Sequence, residues 1–475
     1  MAQPSQSLKI HADGLNVSGP ADTLPLFLGV ASKGSPNAIG TFTSTRQIRD
    51  GLGHGPLVED ACAYVDVVGG TLLCARFDHS VAGTNSAVQT NGAGPAVTVA
   101  GEPNDSYEGK VRIGVGGALG TATFQYSLDG RDHFSRLLTL PLSGTFAVPG
   151  TNLTLTFSAG TYVAGDEYTW SSTAGTYSAL DLANLVTALR VTSYRPSFTV
   201  VSGKHTAAAS ATLFAALDGH FESLANDFRF GQAILDAGSA DNDNDVKAAY
   251  ASLFSNWLSP TYGEVLMATS NPFVGWLEPT RTIVAALAIA AGLRTISGSP
   301  GRVKSGSLPA RFRSPTHDER FKATLFNERI TTLKTYAEKP GGLYVTQGQL
   351  RCPDGSNFSK WQLRRLMNVA CGIVTTEQAE MINAGFRTNP NGTIDERDAA
   401  RWETVVLDAL KERLLTPKND EGQPGHVSAV AYRIDRTNNL NDTETIRSVV
   451  AIRPLGYATW IETEIGFALN TEAAA

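Results

Sequence analysis

Cysteine is scarce in this chain of 475 residues, and what little there is lacks ligand spacing. The four cysteines, Cys62, Cys74, Cys352 and Cys371, form no Cys-x-x-Cys pair, which excludes a thiolate metal cluster and a disulfide scaffold. Cys62 and Cys74 sit in apolar surroundings and read as small core residues, so folding in a reducing compartment is expected. The eight histidines show no His-x-x-x-His or His-Glu pairing, so no metal site is expected. Charge of one sign is also lacking. A net charge of -6 gives no global attraction to nucleic acid or to an anionic membrane. The longest apolar run, Ile283 to Leu293, is too short to cross a bilayer, so no membrane insertion is expected. The stretch Met1-Ala2-Gln3-Pro4-Ser5-Gln6-Ser7 has neither the basic nor the apolar region of a signal peptide. A soluble protein made in a cytoplasm is the expectation.

The motifs of cofactor and catalytic sites are missing too. Gly114-Val115-Gly116-Gly117-Ala118-Leu119-Gly120 has Leu119 where a dinucleotide fingerprint needs its last glycine. It also precedes a strand instead of a helix, and so reads as a glycine-rich turn. In Gly298-Ser299-Pro300-Gly301-Arg302-Val303-Lys304-Ser305, two residues separate the last Gly from the Lys, and Pro300 removes a donor that a phosphate nest needs. Asp78-His79-Ser80 are neighbours in sequence, which is not how a triad assembles. Asp241-Asn242-Asp243-Asn244-Asp245 has calcium-loop oxygens but Val246 at the glycine position and Ser252 at the glutamate position. It reads as a cap for the following helix. No catalytic residue and no cofactor are therefore assigned. An enzyme would need a polar pocket at strand ends, for which Glu264, Asp236 and His205 are the candidates.

What is present is a regular alternation of strands and helices with one break in texture. At 42% hydrophobic the chain is globular, and its length calls for about two to four domains. Residues 1–23 read as an extended arm. Apolar runs at Leu24–Ala31 and Thr71–Arg76 flank two short helices, the first capped by Thr43-Ser44-Thr45. From 81 to 175 the chain turns rich in Gly, Thr, Ser and Val, with short strand-like runs and an Asp129-Gly130 hairpin signal. Strand–helix alternation then resumes to about residue 295, which implies a mostly parallel sheet. The expected fold is a multidomain α/β protein. Its platform, residues 24–80 and 176–295, is interrupted by an inserted all-β, sandwich-like domain at 81–175. An α+β domain follows at 296–455, with a C-terminal arm at 456–475. In that domain, helices are expected at Trp361–Cys371, Thr376–Asn383 and Glu396–Leu415, and strands at Val427–Ile434 and Ile446–Ile452.

Two features remain that bear on partners. Eight basic residues against three acidic ones lie between Arg302 and Lys334, and Lys360, Arg364 and Arg365 cluster on the helix that carries Trp361. Such a cluster is either a solvated helix face or a patch for an acidic partner. At the end of the sequence, Ile461, Thr463, Ile465, Phe467 and Leu469 alternate with Glu462 and Glu464, the period of a half-buried strand. The run follows Arg453-Pro454-Leu455-Gly456, a break where Pro454 removes a donor and Gly456 allows a bend. The strand either closes its own sheet or adds to the sheet of a neighbour.

The chain resembles the contractile tail sheath proteins of myophages and related injection machines. The resemblance is carried by Leu28-Gly29-Val30-Ala31-Ser32-Lys33-Gly34-Ser35-Pro36-Asn37, by Gly69-Gly70-Thr71-Leu72-Leu73-Cys74-Ala75-Arg76 and by Phe326-Asn327-Glu328-Arg329-Ile330. Gly342-Leu343-Tyr344-Val345, Trp361 to Asn368 and Arg453-Pro454-Leu455-Gly456-Tyr457-Ala458 add to it. It covers most of 24–76 and 177–469, while Arg294 to Ala310 departs from the family pattern. The resemblance implies a structural, non-enzymatic virion subunit, assembled in a bacterial cytoplasm into a helical stack of six-fold rings. Its partners would be copies of itself, a tail tube, and baseplate and tail terminator proteins. It makes Ile461, Thr463, Ile465, Phe467 and Leu469 an inter-subunit strand, with Pro454 and Gly456 as its hinge. An added strand makes about four to six main-chain hydrogen bonds at ~1 kcal/mol each. Lys360, Arg364 and Arg365 are then expected to face the tube. Two other readings stay open: an α/β enzyme, and a glycan-binding protein using Tyr126, Phe134, Tyr162 and Trp170 of the β-rich segment.

Overall fold

The computed structural model describes residues 24–131, 133–190, 192, 194–267, 280–320, 324–458 and Ile461. The expected N-terminal arm and Thr463, Ile465, Phe467 and Leu469 lie outside the described residues. The chain divides into two compact units between Thr376 and Glu377.

The first unit opens with β1 (Pro25–Gly29), β2 (Ile39–Phe42), α1 (Thr45–Leu52), α2 (Pro56–Val67) and β3 (Leu72–Arg76). Local chemistry sets these boundaries. The Ser44 hydroxyl accepts the Gln47 N–H and starts α1, and Pro56 starts α2 where no donor is needed. Nine strands follow: β4 (Thr84–Asn85), β5 (Gln89–Asn91), β6 (Val97–Ala100), β7 (Tyr107–Val115), β8 (Thr123–Ser127), β9 (Leu138–Thr139), β10 (Thr145–Val148), β11 (Leu153–Phe157) and β12 (Glu167–Thr173). Alternation then returns with α3 (Ala179–Arg190), β13 (Phe198–Val201), α4 (Ala207–Asn226), β14 (Ala233–Asp236), α5 (Asp243–Tyr250) and β15 (Leu258–Thr261). The rest of the unit holds β16 (Glu264–Met267), β17 (Thr280–Thr282), α6 (Val284–Gly292), β18 (Ala310–Phe312), β19 (Leu333–Tyr336) and β20 (Lys339–Val345). Helix α7 (Trp361–Ala379) runs through the boundary between the units.

The main sheet has the order β15-β14-β13-β1-β3-β2. Every pair in it is parallel except β2–β3. Strands on either side of the β-rich stretch meet directly, with Leu26 opposite Thr199. Successive residues of β1 serve opposite layers. Phe27 packs with Leu72, Cys74, Phe198 and helices α1, α2 and α6, whereas Leu26 and Leu28 pack with Leu73, Leu235 and helices α3, α4 and α5. A sheet covered on both faces explains why its strands read as unbroken apolar runs. Helix α6 is buried from Val284 to Ala291, as an all-apolar helix must be. Leu333, Leu343, Val345, Leu350 and Trp361 join the same core. Residues expected to open the last domain at 296 thus pack into the platform.

The strands β4 to β12 form two sheets, β10-β11-β6 and β4-β12-β7-β8-β9 with β5 also paired to β12, around a core of their own. In β12, Tyr168, Trp170 and Ser172 point inward and alternate with exposed residues. Gly109 of β7 lies under Trp170, where a Cβ would come within 2.1 Å of the indole. Tyr126, Tyr162 and Trp170 are 9%, 1% and 4% exposed, and Phe134 lies under the Arg112 guanidinium at 4.5 Å. This corrects the glycan reading, because three of its four stacking aromatics are core. The Asp129-Gly130 turn forms with Gly130 at φ +69°. The strands it joins pair only at Thr123–Phe124 and Leu138–Thr139, across a long loop in place of a tight hairpin.

The second unit contains α8 (Glu396–Leu414), β21 (Val427–Ile434), α9 (Leu440–Thr443) and β22 (Ser448–Pro454). The Asp395 side chain caps α8. β21 and β22 form an antiparallel two-stranded sheet, and α8 packs on β21. Arg436 ties the hairpin to α8 through ion pairs with Glu396 (2.9 Å) and Glu403. Gln378 adds hydrogen bonds to the Tyr432 hydroxyl (3.1 Å) and the Ser448 hydroxyl (2.9 Å).

Candidate functional site

The carboxyl ends of parallel strands are where α/β folds keep ligands, and the three enzyme candidates do converge there. Asp236 closes β14 and is fully buried. Its carboxylate accepts the backbone N–H groups of His205 and Ser239, both at 3.0 Å, and the Ser239 hydroxyl. Burial lifts its pKa to about 6 against those bonds. The His205 ring lies edge-on to Tyr177, with Nε2 3.3 Å from the phenol oxygen. Burial lowers its pKa to about 4, so the imidazole is neutral at pH 7. Glu264 pairs with Lys204 and, at 3.1 Å, with Arg313, which also reaches Glu108 of β7 at 3.2 Å. Each candidate is thus bonded to its neighbours. The cavity beside His205, lined by Val30, Ser106, Thr173, Tyr177 and Ser202 among others, holds about 10 Å³, at the limit for one water. The base of the β-rich block closes it. These bonds tie the carboxyl ends of the strands together around a cavity no larger than a water.

The expected basic patch is placed elsewhere than predicted. Arg364 and Arg365 are 6% and 1% exposed. Trp361 at the start of α7 is fully buried, edge-on to Phe198 of β13 at 5.9 Å. One turn on, Arg365 Nη1 donates to the carbonyls of Ala291 (3.0 Å) and Arg294 (3.4 Å). It thereby caps the carboxyl end of α6, whose last carbonyls have no partner within the helix. The Arg364 guanidinium stacks over Trp257 at 3.5 Å and Phe358 at 4.8 Å. Burial lowers its pKa to about 10, so it stays charged at pH 7. Lys360 is half-buried, and burial lowers its pKa too. For two of the three residues expected to face the tube, the expectation is therefore corrected: Arg364 and Arg365 cap and stack inside the first unit. Trp361 was the available signal: it lies one turn before Arg365 on the same face of the helix, and a buried Trp marks that face as core.

In the second unit, Pro454 is the last residue of β22 and is paired with Val427, and its carbonyl accepts the Ser428 hydroxyl at 3.2 Å. Of the two expected hinge residues it lies within the strand, whereas Gly456 follows the strand's end. Ile461, the one described residue of the expected terminal strand, is 81% exposed and belongs to no element.

The family model described as DUF2586, N-terminal domain, matches residues 12–349. The chain belongs to the DUF2586 family. No curated protein matches its sequence. Solved structures similar to this DUF2586 chain come from contractile machines. A chain of the anti-feeding prophage baseplate in the contracted state has 11% identity and a TM-score of 0.53, over 99% of both chains. One from the contracted PVC sheath complex, an extracellular contractile injection system, has 12% identity and a TM-score of 0.52, again over 99% of both. The anti-feeding prophage helical sheath in the contracted state gives 13% identity and a TM-score of 0.51, over 98% of this chain and 99% of that one. The likeness is one of fold. This chain folds as sheath proteins of contractile injection systems do.

Sequence reasoning missed one cluster in this DUF2586 chain. Arg281 of β17 donates from Nη1 to both carboxylate oxygens of Asp105 (2.8 and 3.0 Å), at the root of the β-rich block. Its Nη2 lies 3.7 Å from Glu59 of α2. These carboxylates, with Asp60 nearby, hold the guanidinium charged and raise its pKa. Burial pushes the Asp60 carboxyl up to about 7. The four residues come from three distant stretches of sequence, so no local pattern could announce them.

Proposed function

We propose that the chain is a structural, non-enzymatic subunit of a contractile tail sheath. It polymerises into a helical stack of six-fold rings around a tail tube and shortens to drive the tube through a target envelope. The observation that carries this reading is the β21–β22 sheet in a chain with the sheath fold. It has only two strands, and no further strand pairs with them among the described residues. A two-stranded sheet is marginal by itself and offers unpaired N–H and C=O groups along its edges. Strands supplied by neighbouring copies would complete it. Ile461, Thr463, Ile465, Phe467 and Leu469 are the donor in this reading, and burying Ile461, Ile465 and Phe467 contributes about 1.5–3 kcal/mol each. The bend falls after Pro454, around Gly456. In the same reading residues 1–23 and 456–475 are the linking arms, and the β-rich block at 81–175 is an insertion into the platform. The tube, the baseplate and a tail terminator are the other partners, and the assembled particle is the place of action.

Purified protein examined by negative-stain microscopy should show rings or tubes. Deleting residues 456–475 should abolish them while leaving the melting temperature of the subunit unchanged. A monomer at high concentration, indifferent to that deletion, would sink the proposal.

A further inference from the structure

The β-rich block meets the platform in two ways. Its chain enters and leaves through a narrow neck, where Val81 and Thr176 exchange both backbone hydrogen bonds (3.1 and 2.9 Å). The block's strands lie in sheets separate from the main one. The second contact is the segment between β6 and β7, which lies on the amino end of α2. There the Asn104 carbonyl approaches Gly55 so closely that a Cβ would sit 3.2 Å from it. From this segment Asp105 reaches Arg281 of β17 with both carboxylate oxygens. An outer bridge, Glu108 to Arg313 at 3.2 Å, is part-exposed and holds little, because solvent screens it.

The inner contact has more carboxylates than cations. Glu59, Asp60 and Asp105 are all buried and face one guanidinium, itself 11% exposed. The other titratable groups around it are His54, which also feels Lys33 and Arg49, and the phenols of Tyr107 and Tyr177. Burial lowers the His54 pKa and raises those of the two phenols, so all three are neutral at pH 7 and above it. With Asp60 protonated the cluster carries one surplus negative charge, and with Asp60 ionised it carries two. A second unpaired charge in a buried site is costly. Glu59 and Asp60 are fixed on α2, which packs against α6. Asp105 alone of the three sits on the block, so it is the carboxylate that a swing about the neck carries toward water.

We propose that the β-rich block is a hinged lobe. The Val81–Thr176 neck is its pivot and the Asp105–Arg281 pair its clasp, closed while Asp60 holds a proton and opened when Asp60 loses it. Burial lifts the Asp60 carboxyl to about 7. The buried state therefore holds the proton more tightly than water does, and the clasp loosens as pH rises through that value. The device belongs to the single subunit and is independent of whether the chain builds a sheath.

Amide exchange of the full chain at pH 6 and pH 8.5, corrected for the intrinsic pH dependence of exchange, tests it. Residues 103–108 should lose protection at least fivefold at pH 8.5, while β1, β11 and β13 keep theirs. Asp60→Asn removes the ionisation and should keep 103–108 protected at both values. Asp105→Asn unfastens the clasp from the block's side and should leave the segment poorly protected at both, which keeps the test decisive even if Asp60→Asn does not fold. Spin labels at Thr156→Cys on the block and Ala248→Cys on α5, with Cys371→Ser, should give a narrow distance at pH 6 and a broadened one at pH 8.5. Equal protection of 103–108 at both values in the parent chain would overturn the proposal, as would an unchanged distance or a parental pH response in Asp60→Asn. Protection lost equally over β1 and β13 would overturn it too, because that is unfolding and not a swing.

Discussion

The two units of this chain hold a β-sheet in opposite ways. In the first, six strands are sandwiched between helical layers, and the polar residues at the carboxyl ends of the strands are bonded to one another. In the second, two strands carry one long helix on one side. Along β22 every second residue is exposed: Val449, Ala451 and Arg453. Burial on both faces makes the first sheet a rigid body, because close-packed interiors deform little. The second leaves strand edges and one face open for something to be added. The proposed role as a sheath subunit calls for both, a stiff body and an unfinished joint.

The sharpest way to break the contrast is to soften the rigid side. Trp361→Ala should cost about 3–5 kcal/mol in equilibrium unfolding of the full chain, because Trp361 joins α7 to Phe198 in the main core. A loss below about 1 kcal/mol would show that α7 is peripheral to the platform.

The next effect is a pH dependence at Asp60. Its carboxyl titrates near 3.8 when unfolded and at about 7 when buried, so the folded state holds the proton more tightly. Its contribution to stability is full below pH 4 and is lost as pH rises through 7. The size is on the order of 4 kcal/mol, a little over three pH units at about 1.4 kcal/mol each. Asp60→Asn should flatten that window and raise the melting temperature at pH 8 relative to the parent chain. Equal pH profiles for the two proteins would place the proton elsewhere in the Arg281 cluster.

These sites also show what was legible in the sequence. Buried parallel strands announced themselves: the apolar run Leu24–Ala31 became β1, and β13 is buried throughout. Such runs carry their own signal because burial on two faces permits little but apolar residues. The helix expected after the Asp241–Asp245 cap starts inside that stretch, from Asp243 to Tyr250 with Asn242 as its cap, and β15 behind it gave no signal. Pro260 hid that strand, although β15 lies at the sheet edge, where proline is tolerated. The two helices expected at 361–371 and 376–383 are one, α7, in which the Thr375 and Thr376 hydroxyls bond back to Cys371 and Gly372. The arginines were misread for a deeper reason. Charge in a sequence looks like surface until tertiary structure supplies orphan helix carbonyls and aromatic faces to receive it, as Ala291 and Trp257 do here.

The smallest effect on the isolated chain sharpens the comparison most. Val449 on β22 stands opposite Arg433 and is 68% exposed. Its neighbour Val450, opposite Tyr432, is half-buried on the other face of the hairpin. Replacing Val449 by lysine removes no core contact, so unfolding of the subunit should shift by no more than about 0.5 kcal/mol. Lysine on an exposed strand is nonetheless a device that blocks strand and sheet association. If the open face of this hairpin is where neighbouring copies meet, Val449→Lys should abolish rings and tubes in negative stain at unchanged melting temperature. Trp361→Ala should do the reverse, lowering the melting temperature while tubes still form in the cold. Tubes of normal length from Val449→Lys would move the joint off this face and onto the strand edges alone.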